Sequence, residues 1–308
     1  MKRVLLIVFS GTGNTLLAAR MIADAFSEQG IVADILDITG DDQTAPDFRA
    51  YDLIGLGYPI YAFNTPIFFL RYIKKLRLEG KRVFIFKTSG EPLGWNNASS
   101  AELKRFLGKR SCTFAGEYHF LMPYNIICRF PDNLVKQMYL YAERYSRWVC
   151  ADLLRDGGSF IPYGWGLRLF ARVLRIQRLG AALNGKLYRV NTRKCTYCLK
   201  CVRYCPSHNI RQEGKRFRFG FDCQMCMRCS FSCPTDAISI GILNPWKVNG
   251  PYPFETLAAD PALDGKFTGT AAGAAGAEPE KKLPNPFYKI FIPYFSRLDR
   301  LFAEGREQ

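Results

Sequence analysis

Two cysteine-rich stretches decide how this chain is organised. The first is Cys195-Thr-Tyr-Cys198-Leu-Lys-Cys201-Val-Arg-Tyr-Cys205-Pro206, and the second is Cys223-Gln-Met-Cys226-Met-Arg-Cys229-Ser-Phe-Ser-Cys233-Pro234. Both have the spacing C-x2-C-x2-C-x3-C-P, which is typical of bacterial iron–sulfur ligation. A [4Fe–4S] cube needs one thiolate on each iron, and the fourth Cys of such a run ligates the other cluster.

The spacing therefore predicts two cubes with crossed ligands. We assign Cys195, Cys198, Cys201 and Cys233 to one cube, and Cys223, Cys226, Cys229 and Cys205 to the other. Zinc ribbons use C-x2-C pairs and need neither a third Cys nor the repeated Cys-Pro. A disulfide framework requires an oxidising compartment, and no signal peptide is recognisable, so we expect a cytoplasmic protein.

Residues 188–243 resemble a two-cluster bacterial ferredoxin. Pro206 and Pro234 follow the fourth cysteines as in that family, and Asn209-Ile210 and Ala237-Ile238 stand where the family has its short helices. The resemblance implies a small α+β domain holding two [4Fe–4S] clusters.

The N-terminal half begins with a continuous apolar run at residues 3–9, which favours a strand buried on both faces of a parallel sheet. A loop of small residues follows, made of Ser10, Gly11, Thr12, Gly13, Asn14 and Thr15. A loop between strand and helix presents backbone N–H groups to a phosphate. The loop lacks the Lys of a nucleotide P-loop and the G-x-G-x-x-G spacing of a dinucleotide site. An ordinary strand–helix turn is the alternative.

This loop resembles the flavodoxin phosphate loop [ST]-x-T-G-x-T, matched at Ser10, Thr12, Gly13 and Thr15. The resemblance covers residues 1–155 and implies an FMN-binding domain. Further strands are predicted at 32–38, 52–57, 81–87 and 113–121, with helices at 65–77, 97–108 and 132–155. This alternation predicts a doubly wound parallel sheet, and the flavodoxin resemblance implies five strands in the order 2-1-3-4-5.

Two later loops look like the isoalloxazine-flanking loops of flavodoxins. The residues that we expect to contact flavin are Pro59, Ile60, Tyr61, Ala62, Phe63 and Asn64 after the third strand, and Thr88, Ser89 and Gly90 after the fourth. Tyr61 is the candidate for ring stacking, with Phe63 and Trp95 as alternatives. Simple packing of these aromatic rings is the competing interpretation.

Residues 156–187 form a predicted basic amphipathic connector. Arg168, Arg172, Arg175 and Arg178 share one helical stripe, and apolar residues occupy the remaining face. We favour an apolar face packed on the protein and solvated arginines, with membrane or partner binding as the alternative.

Residues 244–308 are a C-terminal extension, with a flexible Ala/Gly linker predicted at 256–282 and a short amphipathic helix after Pro293.

The net charge of the chain indicates what kind of partner it binds. The 308 residues have a formal net charge of +16, and two oxidised cubes with FMN would leave about +10. We expect an acidic redox partner such as a ferredoxin or oxidoreductase subunit, attracted in part by Lys194, Lys200, Arg203 and Arg228 near the clusters. Nucleic acid is not expected, because no binding motif accompanies the charge. Peripheral contact with the inner membrane face stays open, and no apolar run is long enough to span a bilayer.

The whole chain thus looks like a flavodoxin-type domain fused to a two-cluster ferredoxin, an arrangement familiar in anaerobes, and we expect it to pass single electrons between clusters and FMN. The alternative is a reductase of a quinone, an activated alkene or oxygen, with Tyr58, Tyr61 or Glu91 as proton donor. No catalytic residue can be assigned from the sequence. His119 and His208 are expected to be structural, and Cys112, Cys128 and Cys150 to be isolated, buried thiols.

Overall fold

A parallel sheet forms the N-terminal half of the protein. The computed structural model describes residues 1–39, 46–155, 158–248, 250–266 and 288–304. The five strands are β1 (Arg3–Val8), β2 (Val32–Asp37), β3 (Leu53–Pro59), β4 (Arg82–Ser89) and β5 (Thr113–Leu121). They are parallel throughout, in the order β2-β1-β3-β4-β5. The predicted flavodoxin-like sheet and its strand order are confirmed.

Helices cover both faces of this sheet. They are α1 (Asn14–Glu28), α2 (Ile67–Lys75), α3 (Ala101–Gly108) and α4 (Asp132–Leu154). Leu6 and Val8 of β1 face the core shared with α1 and α4, whereas Leu5 and Ile7 face the core shared with α2 and α3. Burial on both faces explains why β1 reads as an unbroken apolar run.

The connector is a nearly continuous helical segment. It consists of α5 (Trp165–Val173), a 3₁₀ turn at Leu174–Ile176 and α6 (Gln177–Lys186). Phe170 packs against Phe63 and Trp95, with ring centroids 5.3 and 4.7 Å away. Arg175 and Arg178 each bind Glu102 of α3 at 3.2 Å.

This orientation contradicts the favoured prediction for the connector. Leu169 is 52% exposed and Ile176 is 67% exposed, so much of the apolar face is turned to solvent while two arginines face the protein. The physical reason is Glu102, which attracts the inner arginines, together with the aromatic contacts that hold Phe170 inward.

The ferredoxin part consists of short paired elements. Strand β6 (Arg189–Val190) pairs antiparallel with β9 (Ile238–Ser239), and β7 (Ile210–Glu213) pairs with β8 (Arg216–Phe219). The short helices α7 (Lys200–Arg203) and α8 (Arg228–Phe231) lie inside the cysteine runs. The expected helices at Asn209-Ile210 and Ala237-Ile238 are therefore wrong, because Ile210 and Ile238 begin strands.

The C-terminal extension returns to the N-terminal half. Helices α9 (Phe254–Ala259) and α10 (Phe291–Glu304) both pack on α4, with Phe295 4.7 Å from the Tyr141 ring centroid. The first four residues of the predicted linker thus belong to α9, and its part beyond residue 266 lies outside the described residues. No helix in the described ranges has the length and apolarity needed to cross a bilayer.

Candidate functional site

A cavity of about 670 Å³ lies at the carboxyl ends of β1, β3 and β4. The predicted flavin-contacting residues that line it are Ser10, Gly11, Thr12, Asn14, Thr15, Pro59, Ile60, Tyr61, Ala62, Phe63, Thr88, Ser89 and Gly90. Gly13 and Asn64 do not line it. Asn64 instead donates to the carbonyls of Ala62 and Ala171, both at 2.8 Å, and so fixes the connector to this loop.

The first loop has the form of an anion cradle. Gly13 caps α1 with φ +100°, a conformation that favours glycine. No protein acceptor within the described ranges takes the backbone N–H groups of Gly11, Thr12 or Gly13. Free N–H groups at a helix N-terminus bind phosphate, so this loop fits the phosphate of FMN.

The three aromatic residues considered for stacking on the flavin ring differ in their position relative to the cavity. Tyr61 lines the cavity and meets Phe9 edge to face at 6.1 Å, and its buried hydroxyl has no hydrogen-bond partner among the described residues. Phe63 also lines the cavity, whereas Trp95 packs on Phe170 outside it. The orphaned Tyr61 hydroxyl points to a polar group that completes the site.

An acid lies in the cavity wall after β4. Glu91 accepts hydrogen bonds from Tyr124 and from Asn96, the latter at 3.1 Å, and burial raises the pKa of its carboxyl. Behind it, Ser89 Oγ lies 2.8 Å from Nε2 of His119. Burial lowers the pKa of His119 to about 3, so this imidazole is neutral at pH 7.

Several parts of the cavity wall were not predicted from the sequence. They include the segment Met122–Ile127 after β5, the α6 residues Gln177, Arg178 and Ala181, and the C-terminal residues Leu243 and Trp246. The carboxyl ends of parallel strands meet at one edge of the sheet, where such folds bind their ligands. The loop after β5 could therefore have been predicted to line the cavity. The α6 and C-terminal residues reach the cavity through tertiary packing, for which the sequence offers no local signal.

The eight ferredoxin-type cysteines form two rings around small cavities. One cavity, of about 20 Å³, is lined by Cys195, Cys198, Cys201 and Cys233. The other, also of about 20 Å³, is lined by Cys205, Cys223, Cys226 and Cys229. We name these rings the outer set and the inner set. Each ring thus combines three cysteines of one run with the fourth cysteine of the other run, as the spacing predicts.

The two cysteine runs share one backbone conformation. Tyr197 and Met225 have φ of 55° and 49°, and Leu199 and Met227 have φ of 57° and 61°. Backbone N–H groups of Tyr197 and Met225 donate to the sulfurs of Cys195 and Cys223, each at 3.4 Å. Such bonds to sulfur tune the potential of a bound cluster.

The sulfurs do not converge as ligands of a single metal ion do. Within the described ranges, no three His, Cys, Asp or Glu side chains close on one ion position. A cube places its thiolates at four separate iron corners, so a ring around a central space is the donor arrangement that it requires.

The inner set adjoins the flavin cavity. Residues Cys223, Gln224 and Met225 line both spaces, so they form a shared wall. A methyl group added at Gly11 would stand 2.2 Å from the carbonyl oxygen of Cys226. The phosphate-type loop and the inner cysteine loop are therefore in direct contact.

Arg228 holds these two loops together. Its guanidinium donates to the Ser10 carbonyl at 2.9 Å and to Thr39 Oγ1 at 2.7 Å. Arg228 is half-buried between the domains, so its charge stabilises this contact and is only partly available to a partner.

Solvent reaches the outer set more readily. Cys198 is exposed, and so are the basic residues Lys194 and Arg203 nearby. Arg203 also donates to the carbonyl of Cys198 at 3.2 Å. The positive charge expected near the clusters is therefore concentrated at the outer set.

Comparisons with known proteins bear on each half separately. A family model described as a 4Fe-4S binding domain matches residues 188–211, which include the first cysteine run. Among curated proteins, no relative matches the chain.

Solved structures similar to the chain include three flavodoxins. Oxidised flavodoxin 1 from Bacillus cereus has 18% identity and a TM-score of 0.38, covering 50% of this chain and 98% of its own. A flavodoxin from the domain Archaea has 11% identity and a TM-score of 0.37, covering 49% and 99%. Two-electron reduced Megasphaera elsdenii flavodoxin has 24% identity and a TM-score of 0.32, covering 38% and 85%.

The chain joins a flavodoxin-like domain, defined by its strand order, to a 4Fe–4S binding domain. This combination supports an electron-transfer role for an iron–sulfur flavoprotein.

Proposed function

We propose that this protein transfers electrons in anaerobic metabolism through two [4Fe–4S] clusters and FMN arranged in a fixed row. The outer set, the inner set and the flavin cavity would hold them in that order. The observation that carries the proposal is the wall Cys223–Met225, which borders both the inner set and the cavity. FMN exchanges one or two electrons and each cube exchanges one, so their combination links one-electron to two-electron chemistry.

A second cluster is supported by the repeated backbone. The matched family segment ends before the second run, yet the second run repeats the positive φ values and the N–H to sulfur bonds of the first. Equivalent loops with equivalent sulfur donors are suited to equivalent clusters.

The chain's own residues would orient the cofactors and exclude water. Free N–H groups of Gly11 and Thr12 would receive the phosphate, and the Tyr61 hydroxyl supplies a further buried polar group beside that loop. Gly90 leaves room for Tyr124, because a methyl group there would stand 2.1 Å from that ring. We expect FMN to be bound noncovalently at this site.

The proposed partner is an acidic redox protein. No Asp or Glu occurs at residues 157–212, and exposed basic residues surround the outer set. Opposite charge would steer such a donor to the outer set, and added salt would screen the attraction.

The test is anaerobic purification with cofactor analysis, followed by stopped-flow reduction. We expect about eight iron and eight sulfide per chain, with one releasable FMN. Reduced ferredoxin should reduce the protein rapidly, and the rate should fall as salt rises. Stoichiometric zinc without acid-labile sulfide, or fast saturable reduction by NADPH alone, would contradict the proposal.

Glu91 favours a second candidate, a flavin-dependent reductase of a small substrate such as a quinone, an activated alkene or oxygen. Its carboxyl has a raised pKa and lines the cavity, so it can hold a proton for transfer. A Glu91→Gln variant that retains FMN yet loses turnover of a quinone or alkene, with cluster reduction unchanged, would favour the reductase.

A further inference from the structure

The connector carries an unusual exposed surface. Six large apolar residues follow one another at steps of three or four, at Trp165, Leu169, Val173, Ile176, Leu179 and Leu183. Every one is more than half exposed, from 52% for Leu169 to 80% for Trp165. Steps of three and four place them on one side of a helix. We call these six residues the apolar stripe.

The opposite side of the connector is fixed to the protein. Ala171 is buried, Phe170 packs between aromatic rings, and Arg175 and Arg178 bind Glu102. These contacts leave the connector no freedom to turn the apolar stripe inward. The stripe is therefore a stable outer surface of the protein, and large exposed apolar patches mark interaction sites.

Charge around the apolar stripe identifies its occupant. Arg168, Arg172 and Lys186 are exposed on the same helices, and residues 157–212 contain no acid. A second copy of this chain would bring like charges together, which disfavours self-association. An apolar face bordered by basic side chains suits the interface of an anionic bilayer.

The shape of the apolar stripe distinguishes a bilayer from a folded protein as its binding partner. The six side chains project from a helix, so they form a ridge and not a groove. A folded partner would need a matching apolar groove, whereas a fluid bilayer closes around a ridge of any shape. We propose that the apolar stripe inserts into the surface of an anionic membrane, with α5 and α6 lying in the interface plane.

The placement of the flavin cavity agrees with this proposal. Gln177 and Ala181 of α6 line the cavity, as does Trp246, so the membrane-bound connector would also be a wall of the cofactor site. Ile242, 69% exposed in the 3₁₀ segment Gly241–Trp246 beside α6, adds further apolar surface on this side.

Vesicle flotation of the full-length protein with its cofactors tests the proposal. We expect it to float with vesicles of phosphatidylcholine and phosphatidylglycerol, more weakly with phosphatidylcholine alone, and less as salt rises. The variant Leu169→Ser/Ile176→Ser/Leu183→Ser should lose affinity by roughly tenfold or more, because three apolar anchors are removed.

The matched control replaces three exposed apolar residues elsewhere, as Val32→Ser/Leu154→Ser/Ile292→Ser, and should float like the native protein. Iron and FMN contents should be unchanged in both variants, which shows that each remains folded. Equal flotation of the two variants, no flotation with anionic vesicles, or lipid-free self-association abolished by the stripe substitutions would each overturn the proposal.

Discussion

Two glycines of the first loop are required for different physical reasons. Gly13 has φ +100°, and a methyl group added there would meet no atom within 4 Å, so only its backbone conformation demands glycine. Gly11 stands against the carbonyl of Cys226, so an added methyl group would collide with the inner cysteine loop. The sequence motif alone does not separate these two roles.

Gly13→Ala should weaken FMN binding by about tenfold, because a left-handed residue with a side chain costs roughly 1–2 kcal/mol. The affinity can be measured by flavin fluorescence titration of the FMN-depleted protein. Gly164→Ala is the control, since it adds the same methyl group to open space at φ −81°. Unchanged affinity in Gly13→Ala would show that the loop does not depend on this conformation.

Cys205→Ser tests the crossed ligation. Although Cys205 belongs to the first run, it lies in the ring with Cys223, Cys226 and Cys229. The variant should therefore lose the inner cluster's electron paramagnetic resonance signal, while Cys198→Ser should lose the signal of the outer one. Cys112→Ser, outside both rings, should retain about eight iron per chain. Identical spectra for the first two variants would contradict the assignment.

At the scale of elements, β4 and β5 are linked by a buried ionic cluster. Lys87 Nζ lies 2.7 Å from Glu117 Oε1, and both side chains are fully buried. Lys87 also donates to the carbonyls of Asn96 and Asn97, at 3.1 and 3.2 Å. The cluster thereby fixes the segment that carries Asn96 into the cavity wall.

Glu117→Gln should destabilise the fold by about 3–5 kcal/mol, because it leaves the buried Lys87 without its counter-charge. Urea unfolding at neutral pH measures this loss. Glu79→Gln, which breaks an exposed pair with Arg110, should change stability little. A small effect of Glu117→Gln would show that Lys87 sheds its proton at little cost.

The same carboxylate gives a pH dependence. Burial alone would raise the pKa of Glu117, but Lys87 and Lys104 hold it below its usual value. A lowered carboxyl pKa contributes stability above the unfolded pKa of about 4.3, and this stability is lost as pH falls through the folded pKa. Acid unfolding curves of the native protein and Glu117→Gln should therefore converge at low pH.

Strands β1, β3 and β4 were predictable because each is a mainly apolar run buried between helices, whereas β2 is only partly buried and is predicted from the alternation of strands and helices. The cysteine rings were equally predictable, because each run has a recognisable spacing and its fourth cysteine ligates the other cluster. The orientation of the connector was not predictable, because periodicity identifies the two faces of a helix without showing which one contacts the rest of the protein. Glu102 decides that question, and it lies 73 and 76 residues before Arg175 and Arg178. The shared wall at Cys223–Met225 likewise depends on domain packing.

At the scale of the whole molecule, Arg228 joins the two cofactor-binding halves. Arg228→Met should loosen the contact with Ser10 and Thr39 and slow electron transfer between the inner cluster and FMN. Anaerobic flash reduction measures that rate, and iron and FMN contents should be retained. Arg218→Met, which removes an exposed pair with Glu213, is the control and should leave the rate unchanged. Equal rates in both variants would exclude a role for Arg228 in holding the two sites together.

The contact at Gly11 has a consequence for how the protein responds to its surroundings. In a carrier whose two domains must move into contact before they react, higher solvent viscosity slows internal electron transfer, because domain diffusion limits each encounter. Here Cys226 already touches the first loop, so no such swing is required. Added glycerol should leave the internal rate unchanged while slowing delivery of electrons by a separate donor, which must still diffuse to the outer set.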